Sequence, residues 1–196
     1  MPFIPVDPGM VATIVTHLEM LERPKPAPIP LAPLRLVPWK TPDLDAYRTL
    51  FRRVGAPWLW FSRLVMTDAD LTAILHDPAV EVYAVTDPRG TEVGLLELDF
   101  RALPDCELSF LGLVPELNGK GLGRWLMAQA KSLAWRKGVE RFCVHTCTLD
   151  SPAALGFYIR SGFTPCGREV EIFADPRLAG VLPREVAPHV PLLEAR

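Results

Sequence analysis

The chain has 196 residues, 49% hydrophobic and 22% charged, with a formal net charge of −2, enough for one full-sized domain with a substantial core. A protein that grips nucleic acid through its phosphates carries a basic excess, so the balance argues against a nucleic-acid partner and against an anionic membrane surface. No stretch approaches the roughly 20 apolar residues that cross a bilayer, and Met1-Pro2-Phe3-Ile4-Pro5 is not a basic n-region leading into an apolar h-region. The expectation is a cytoplasmic protein with no membrane partner. Cys106, Cys143, Cys147 and Cys166 lack the spacing of a zinc ribbon or a redox pair, so reduced thiols and no metal site are expected.

In chain order, the β-branched run from Val11 predicts a strand to Leu21. Pro24, Pro26, Pro28, Pro30 and Pro33 then make an extended strap without ladder donors. Thr41 as cap with Pro42 at the first helical position predicts a helix whose apolar face is Leu44, Tyr47, Leu50, Phe51 and Val54, ended by Gly55. A second helix starts at Thr67 and stops before Pro78. Strands are predicted at Val80–Thr86, Glu92–Phe100 and Glu107–Val114, a helix from about Gly121 to Lys137 with Gly138 as its stop, and a strand at Arg141–Cys147. Ser151-Pro152 opens a short helix through Ile159, and Phe163 to Phe173 reads as the last strand. The chain thus divides into an N-terminal strand and strap (1–33), an α/β domain with a mixed, mostly antiparallel sheet flanked by helices (34–175), and a proline-studded tail (176–196) whose pattern predicts nothing.

The most informative stretch is Leu113-Val114-Pro115-Glu116-Leu117-Asn118-Gly119-Lys120-Gly121-Leu122-Gly123-Arg124. A strand ends, three glycines alternate with other residues, and an amphipathic helix begins. The first turn of a helix presents free N–H groups and partial positive charge, and glycines let a bulky anion approach the backbone, so this is a phosphate or pyrophosphate cradle to which Lys120 and Arg124 add charge. The spacing fits neither the Walker pattern nor the dinucleotide pattern.

With these residues in place, the chain resembles the GNAT superfamily of N-acetyltransferases. Asn118-Gly119-Lys120-Gly121-Leu122-Gly123 fits that family's Gln/Arg-x-x-Gly-x-Gly/Ala turn, with Asn118 standing where Gln or Arg is usual. Downstream, Ser151-Pro152-Ala153-Ala154 and Tyr158 followed by Gly162-Phe163 resemble the second family element, with Ser151 in place of its Asn. The resemblance covers about Arg35 to Glu171. It implies a GNAT fold with a splayed parallel strand pair, acetyl-CoA as cofactor, and acetyl transfer to a primary amine of a small molecule or peptide. A homodimer is compatible with it. Two other readings stay open: an acyl-CoA-binding module without turnover, and an acyltransferase with another acyl donor or an oxygen or sulfur acceptor.

A protonated amine, with a pKa near ~10, cannot attack a thioester, so a base is required. The departing thiolate, with a pKa near ~8.5, gains from a proton donor. Glu107, on the strand leading into the cradle, resembles the glutamate of the histone-acetylating branch and is the first candidate base; a solvated carboxylate is the alternative. Glu97 and His145 are held in reserve. The resemblance makes Tyr158 the proton donor at the coenzyme sulfur. It also assigns the cofactor contacts to backbone at Leu111, Leu113 and Val114, to the turn residues Asn118, Gly119, Lys120, Gly121, Leu122, Gly123 and Arg124, and to Ser151. Trp58, Trp60 and Phe61 fall where the family's variable helices cover the acceptor; they are either its apolar wall or a buried cluster. Arg63 is a candidate partner for an acceptor carboxylate. Ser109, two residues from Glu107, is a candidate to hold a relay water.

Overall fold

The computed structural model describes residues 3–194. The two residues at either end, which fall in the predicted strap segment and tail, lie outside the described residues.

The described residues form seven strands: β1 (Met10–Met20), β2 (Arg35–Pro38), β3 (Val80–Thr86), β4 (Glu92–Asp99), β5 (Asp105–Leu113), β6 (Arg141–Cys147) and β7 (Thr164–Ala174). They form one sheet in the order β2-β3-β4-β5-β6-β1-β7. Five helices flank it: α1 (Leu44–Gly55), α2 (Ser62–Val65), α3 (Asp68–Leu75), α4 (Leu122–Ala134) and α5 (Ala154–Arg160). β4 is buried along six consecutive residues, Val93 to Leu98. Successive side chains of a strand point to opposite faces, so this run requires cover on both faces.

Two irregularities open the sheet at its centre. β5 and β6 are parallel, but their pairing covers only Asp105, Cys106 and Glu107 against Arg141, Phe142 and Cys143; both strands then continue without pairing to each other. On its other side β5 carries a bulge: Leu98 faces Leu108 while Glu97 faces Phe110, which leaves Ser109 as the extra residue. The splayed parallel pair implied by the resemblance is therefore present.

Several local expectations need correction. Asp43, not Thr41, caps α1: its Oδ1 accepts from the N–H of Asp45 and Ala46 at 3.1 and 2.9 Å, and Pro42 precedes the cap. α4 ends at Ala134 rather than Lys137, because the next residue, Trp135, leaves helical geometry and is buried; Gly138, with φ of 93°, turns the chain toward β6. The aromatic segment before α2 contains a 3-10 turn, Ala56–Trp58, closed by Leu59 in the left-handed region. β2 is a four-residue edge strand too short to show a pattern.

The tail is not featureless. Leu182, Ala187 and Val190 are buried with Val11, Ala56, Leu59 and Leu149 in a second apolar cluster separate from the main core. Arg177, 3% exposed, holds this segment together: its guanidinium pairs with Asp175 and donates from Nη1 to the carbonyls of Val186, Ala187 and Val190 at 3.3, 3.3 and 3.0 Å.

Candidate active site

The splay between β5 and β6 opens onto a cavity of about 720 Å³. Most of the expected residues line it: Glu107, Ser109, Leu111 and Leu113 from β5; Asn118, Gly119, Gly121, Leu122 and Gly123 from the glycine turn; His145 from β6; Ser151 and Tyr158 beyond it; and Trp58, Trp60, Phe61 and Arg63 from the segment after α1.

Backbone polar groups of a strand turn alternately toward its two neighbours. The N–H of Val114 donates to Val93 O at 2.9 Å, on the β4 side, and Val114 O accepts from Leu117 N. Val114 is buried and does not line the cavity, its N–H is engaged by β4 and its C=O already accepts one bond, so the contact to a cofactor expected of it is corrected: the structure does not bring it to the cavity. By the same alternation Leu113 and Leu111 turn their N–H and C=O groups to the side where β6 has diverged. That leaves an open strand edge along the cavity, suited to the amides of an extended arm.

At the end of this edge, Gly119 and Gly121 adopt φ of 74° and 76°, the left-handed region that glycine enters without strain. Gly121 is the cap residue of α4 and supplies no side-chain acceptor, so the N–H groups of Leu122 and Gly123 have no acceptor among the described residues. Gly123 is the second residue of α4, in its first turn. A Cβ there would meet only the Phe157 ring, at ordinary contact distance of 3.7 Å. Packing within the protein does not require this glycine, whereas close approach of an anion to the backbone does. The cradle therefore fits a pyrophosphate such as that of coenzyme A. Lys120 and Arg124 do not line the cavity; Arg124 arches over the turn, with Nη2 3.5 Å from where a Gly121 Cβ would lie.

The titratable groups separate into two sets. Oε1 of Glu107 lies 3.2 Å from Nδ1 of His145, both side chains being about half exposed. The neighbouring carboxylate raises the imidazole above its usual 6.5, against the opposing effect of burial. Glu97 differs in every respect. It is fully buried and accepts from Tyr47 Oη at 2.6 Å and from Arg63 Nη2 at 2.5 Å. A carboxylate so paired is not free to take a proton from an acceptor, so Glu97 leaves the reserve list. Arg63, expected to meet an acceptor carboxylate, has its charge committed to Glu97 and its guanidinium 5.2 Å over the Phe110 ring. Tyr158 is buried, and burial together with Asp150 pushes its phenol well above the usual 10, so it keeps its proton.

The aromatic segment packs into a cluster and also lines the cavity. Trp60 packs on Phe51 and Phe110, Phe61 stacks on Phe173, and all of these except Phe51 also face the cavity. Asp150 was not anticipated: its Oδ1 accepts from Trp60 Nε1 at 3.2 Å and its Oδ2 from Thr146 Oγ1 at 2.6 Å, tying the aromatic segment to the loop after β6. Nothing in the local pattern Thr148-Leu149-Asp150 marks this, since the partner lies 90 residues away. Among the described residues no group of three or more His, Cys, Asp or Glu side chains is placed to hold a metal ion, and no helix is long and apolar enough to cross a membrane.

The fold is shared with known structures. A GCN5-related N-acetyltransferase from Sphaerobacter thermophilus superposes with a TM-score of 0.61 at 18% identity, over 82% of this chain and 51% of that one. A functionally unknown conserved protein from Staphylococcus epidermidis gives 0.54 at 13% identity, over 85% and 63%. This chain thus spans between half and two thirds of the length of these two proteins. An aminoglycoside acetyltransferase from an uncultured soil metagenomic sample gives 0.53 at 19% identity, over 66% and 87%. A search of curated proteins finds no match. The model of the Acetyltransferase (GNAT) family matches residues 44–163, more than half of the chain, and the protein belongs to that family.

Proposed function

We propose that the protein is an N-acetyltransferase that moves the acetyl group of acetyl-CoA to a primary amine of a small molecule or peptide. The supporting observation is that the Glu107–His145 pair, the Tyr158 phenol and the glycine turn all border one cavity at the splay. Acetyl-CoA, when bound, supplies the thioester; the new bond joins acceptor nitrogen to acetyl carbon and the carbon–sulfur bond breaks. The turn at Gly119–Gly123 holds the pyrophosphate, and the free edge at Leu111 and Leu113 aligns the arm and offers an N–H to the thioester carbonyl oxygen. Glu107 and His145 act as one base: the amine proton ends on the imidazole, held as imidazolium beside the carboxylate. Tyr158 holds the proton for the departing thiolate. Trp58, Trp60 and Phe61 face an acceptor with an apolar or aromatic portion, and Ser109, at the bulge beside Glu107, holds a relay water.

The test is thiol release from acetyl-CoA across a panel of primary amines, with succinyl-CoA as donor control. Amine-dependent release, with acetylated product found by mass spectrometry, is the expected outcome. Tight acetyl-CoA binding with no release for any amine identifies a binding module instead.

A further inference from the structure

We infer that the segment following β7, Asp175 to Val190, is a clamp that sets the acceptor side of the cavity, with Arg177 as its positioning residue. No described residue beyond Phe173 lines the cavity, so the segment acts from behind the wall. Two wall segments rest on it. The first is Ala56–Phe61: Ala56 and Leu59 are buried against Leu182, Ala187 and Val190, and the His189 ring lies 6.0 Å from that of Trp58. Leu59 holds φ of 56°, costly for a leucine, which surrounding contacts must maintain. The second is the loop after β6: Leu149 belongs to the same cluster, and its carbonyl is 3.4 Å from His189 Nε2. Trp60 Nε1 and Asp150 then join the two segments on the cavity side.

The clamp is closed on itself by chemistry that does not depend on the rest of the domain. Both Asp175 oxygens accept from Arg177, and Arg177 Nη1 gathers three carbonyls that the irregular chain would otherwise leave unpaired. The Asp175 N–H donates to Gly9 O at 2.9 Å, fixing the clamp to the start of β1. The segment lies beyond the residues that the family model matches, 44–163, and it backs the wall at Ala56–Phe61 and Leu149 rather than the glycine turn.

The inference rests on the proposed function only for the identity of the molecule that the wall faces. Its test uses Arg177→Gln and Leu182→Ala, with His189→Gln as a surface variant that leaves the buried pair intact. With whichever of phenethylamine, tryptamine, spermidine or kanamycin turns over, the first two variants raise the amine KM about tenfold while the acetyl-CoA KM moves less than about twofold, and His189→Gln raises the amine KM about threefold. Unchanged amine KM in folded variants, or equal rises in both KM values, overturns the clamp. If no amine turns over, the readout is N-ethylmaleimide labelling of Cys147, which lines the cavity, against exposed Cys166 as internal control. Faster labelling of Cys147 alone supports the clamp; an unchanged ratio overturns it. That labelling result stands whether or not the acetyltransferase reading survives.

Discussion

The two sides of the cavity are built on opposite principles. The side proposed for the coenzyme is backbone: two glycines in the left-handed region, uncapped N–H groups at the start of α4, and a strand edge freed by the splay. It occupies one continuous stretch of chain, from Leu111 to Gly123. The side proposed for the acceptor is side chain: aromatics from the segment after α1, Asp150 from the loop after β6 and Phe173 from β7, backed by a cluster to which the tail contributes. A backbone site depends on local conformation, so it tolerates change elsewhere and accepts one chemistry. A side-chain wall depends on distant contacts, and each contact is a place where acceptor preference can be altered without touching the coenzyme.

The sharpest way to break this contrast is Gly123→Glu. The substituted side chain and its charge would occupy the pyrophosphate position while meeting only Phe157 within the protein. The variant is expected to fold and to lose acetyl-CoA binding by calorimetry; retained affinity would mean that the cradle lies elsewhere.

The next effect belongs to the base. Glu107→Gln should lower turnover by roughly 10²–10⁴ at neutral pH, with acetyl-CoA affinity unchanged, because the cradle contacts are backbone. The deficit should shrink as pH rises, since more of the amine is then already neutral. The His145 imidazole is raised above 6.5 by Glu107. Stability from that pairing is therefore fully present below about 6.5 and fades as pH climbs through the raised value. Activity runs the other way, because only the neutral imidazole accepts a proton, so wild-type turnover should climb with pH in that window. Removing the carboxylate should shift the remaining acid limb to lower pH. A wild-type rate for Glu107→Gln at every pH would hand the role to His145 alone or to solvent.

The smallest of the three is Tyr158→Phe. The ring packs against Phe157 and Phe163 in either form, so fold and coenzyme affinity should hold while turnover falls about tenfold through loss of the proton donor. Equal turnover in both forms would remove the general-acid role and leave Tyr158 as packing alone.

What the sequence by itself determined was local or periodic. Strand alternation and β-branched content set β3 and β6 to the residue, because each strand's pattern is written within it. The glycine turn was legible for the same reason: positive φ and an uncapped helix start are properties of a few consecutive residues. The tertiary structure decided which polar residues are free to act. Glu97 and Glu107 are both carboxylates on neighbouring central strands, yet one is sealed between Tyr47 and Arg63 and the other faces His145 across the splay. The bulge at Ser109 and the divergence after Glu107 are pairing events between strands, and no single strand encodes them. The tail showed no pattern because its order comes from one arginine gathering three carbonyls and a few apolar contacts with β1, the 3-10 turn and the loop after β6. The arginine's bonds are short in sequence but follow no periodic pattern, and the contacts with Val11, Ala56 and Leu59 exist only once the fold has brought distant parts of the chain together.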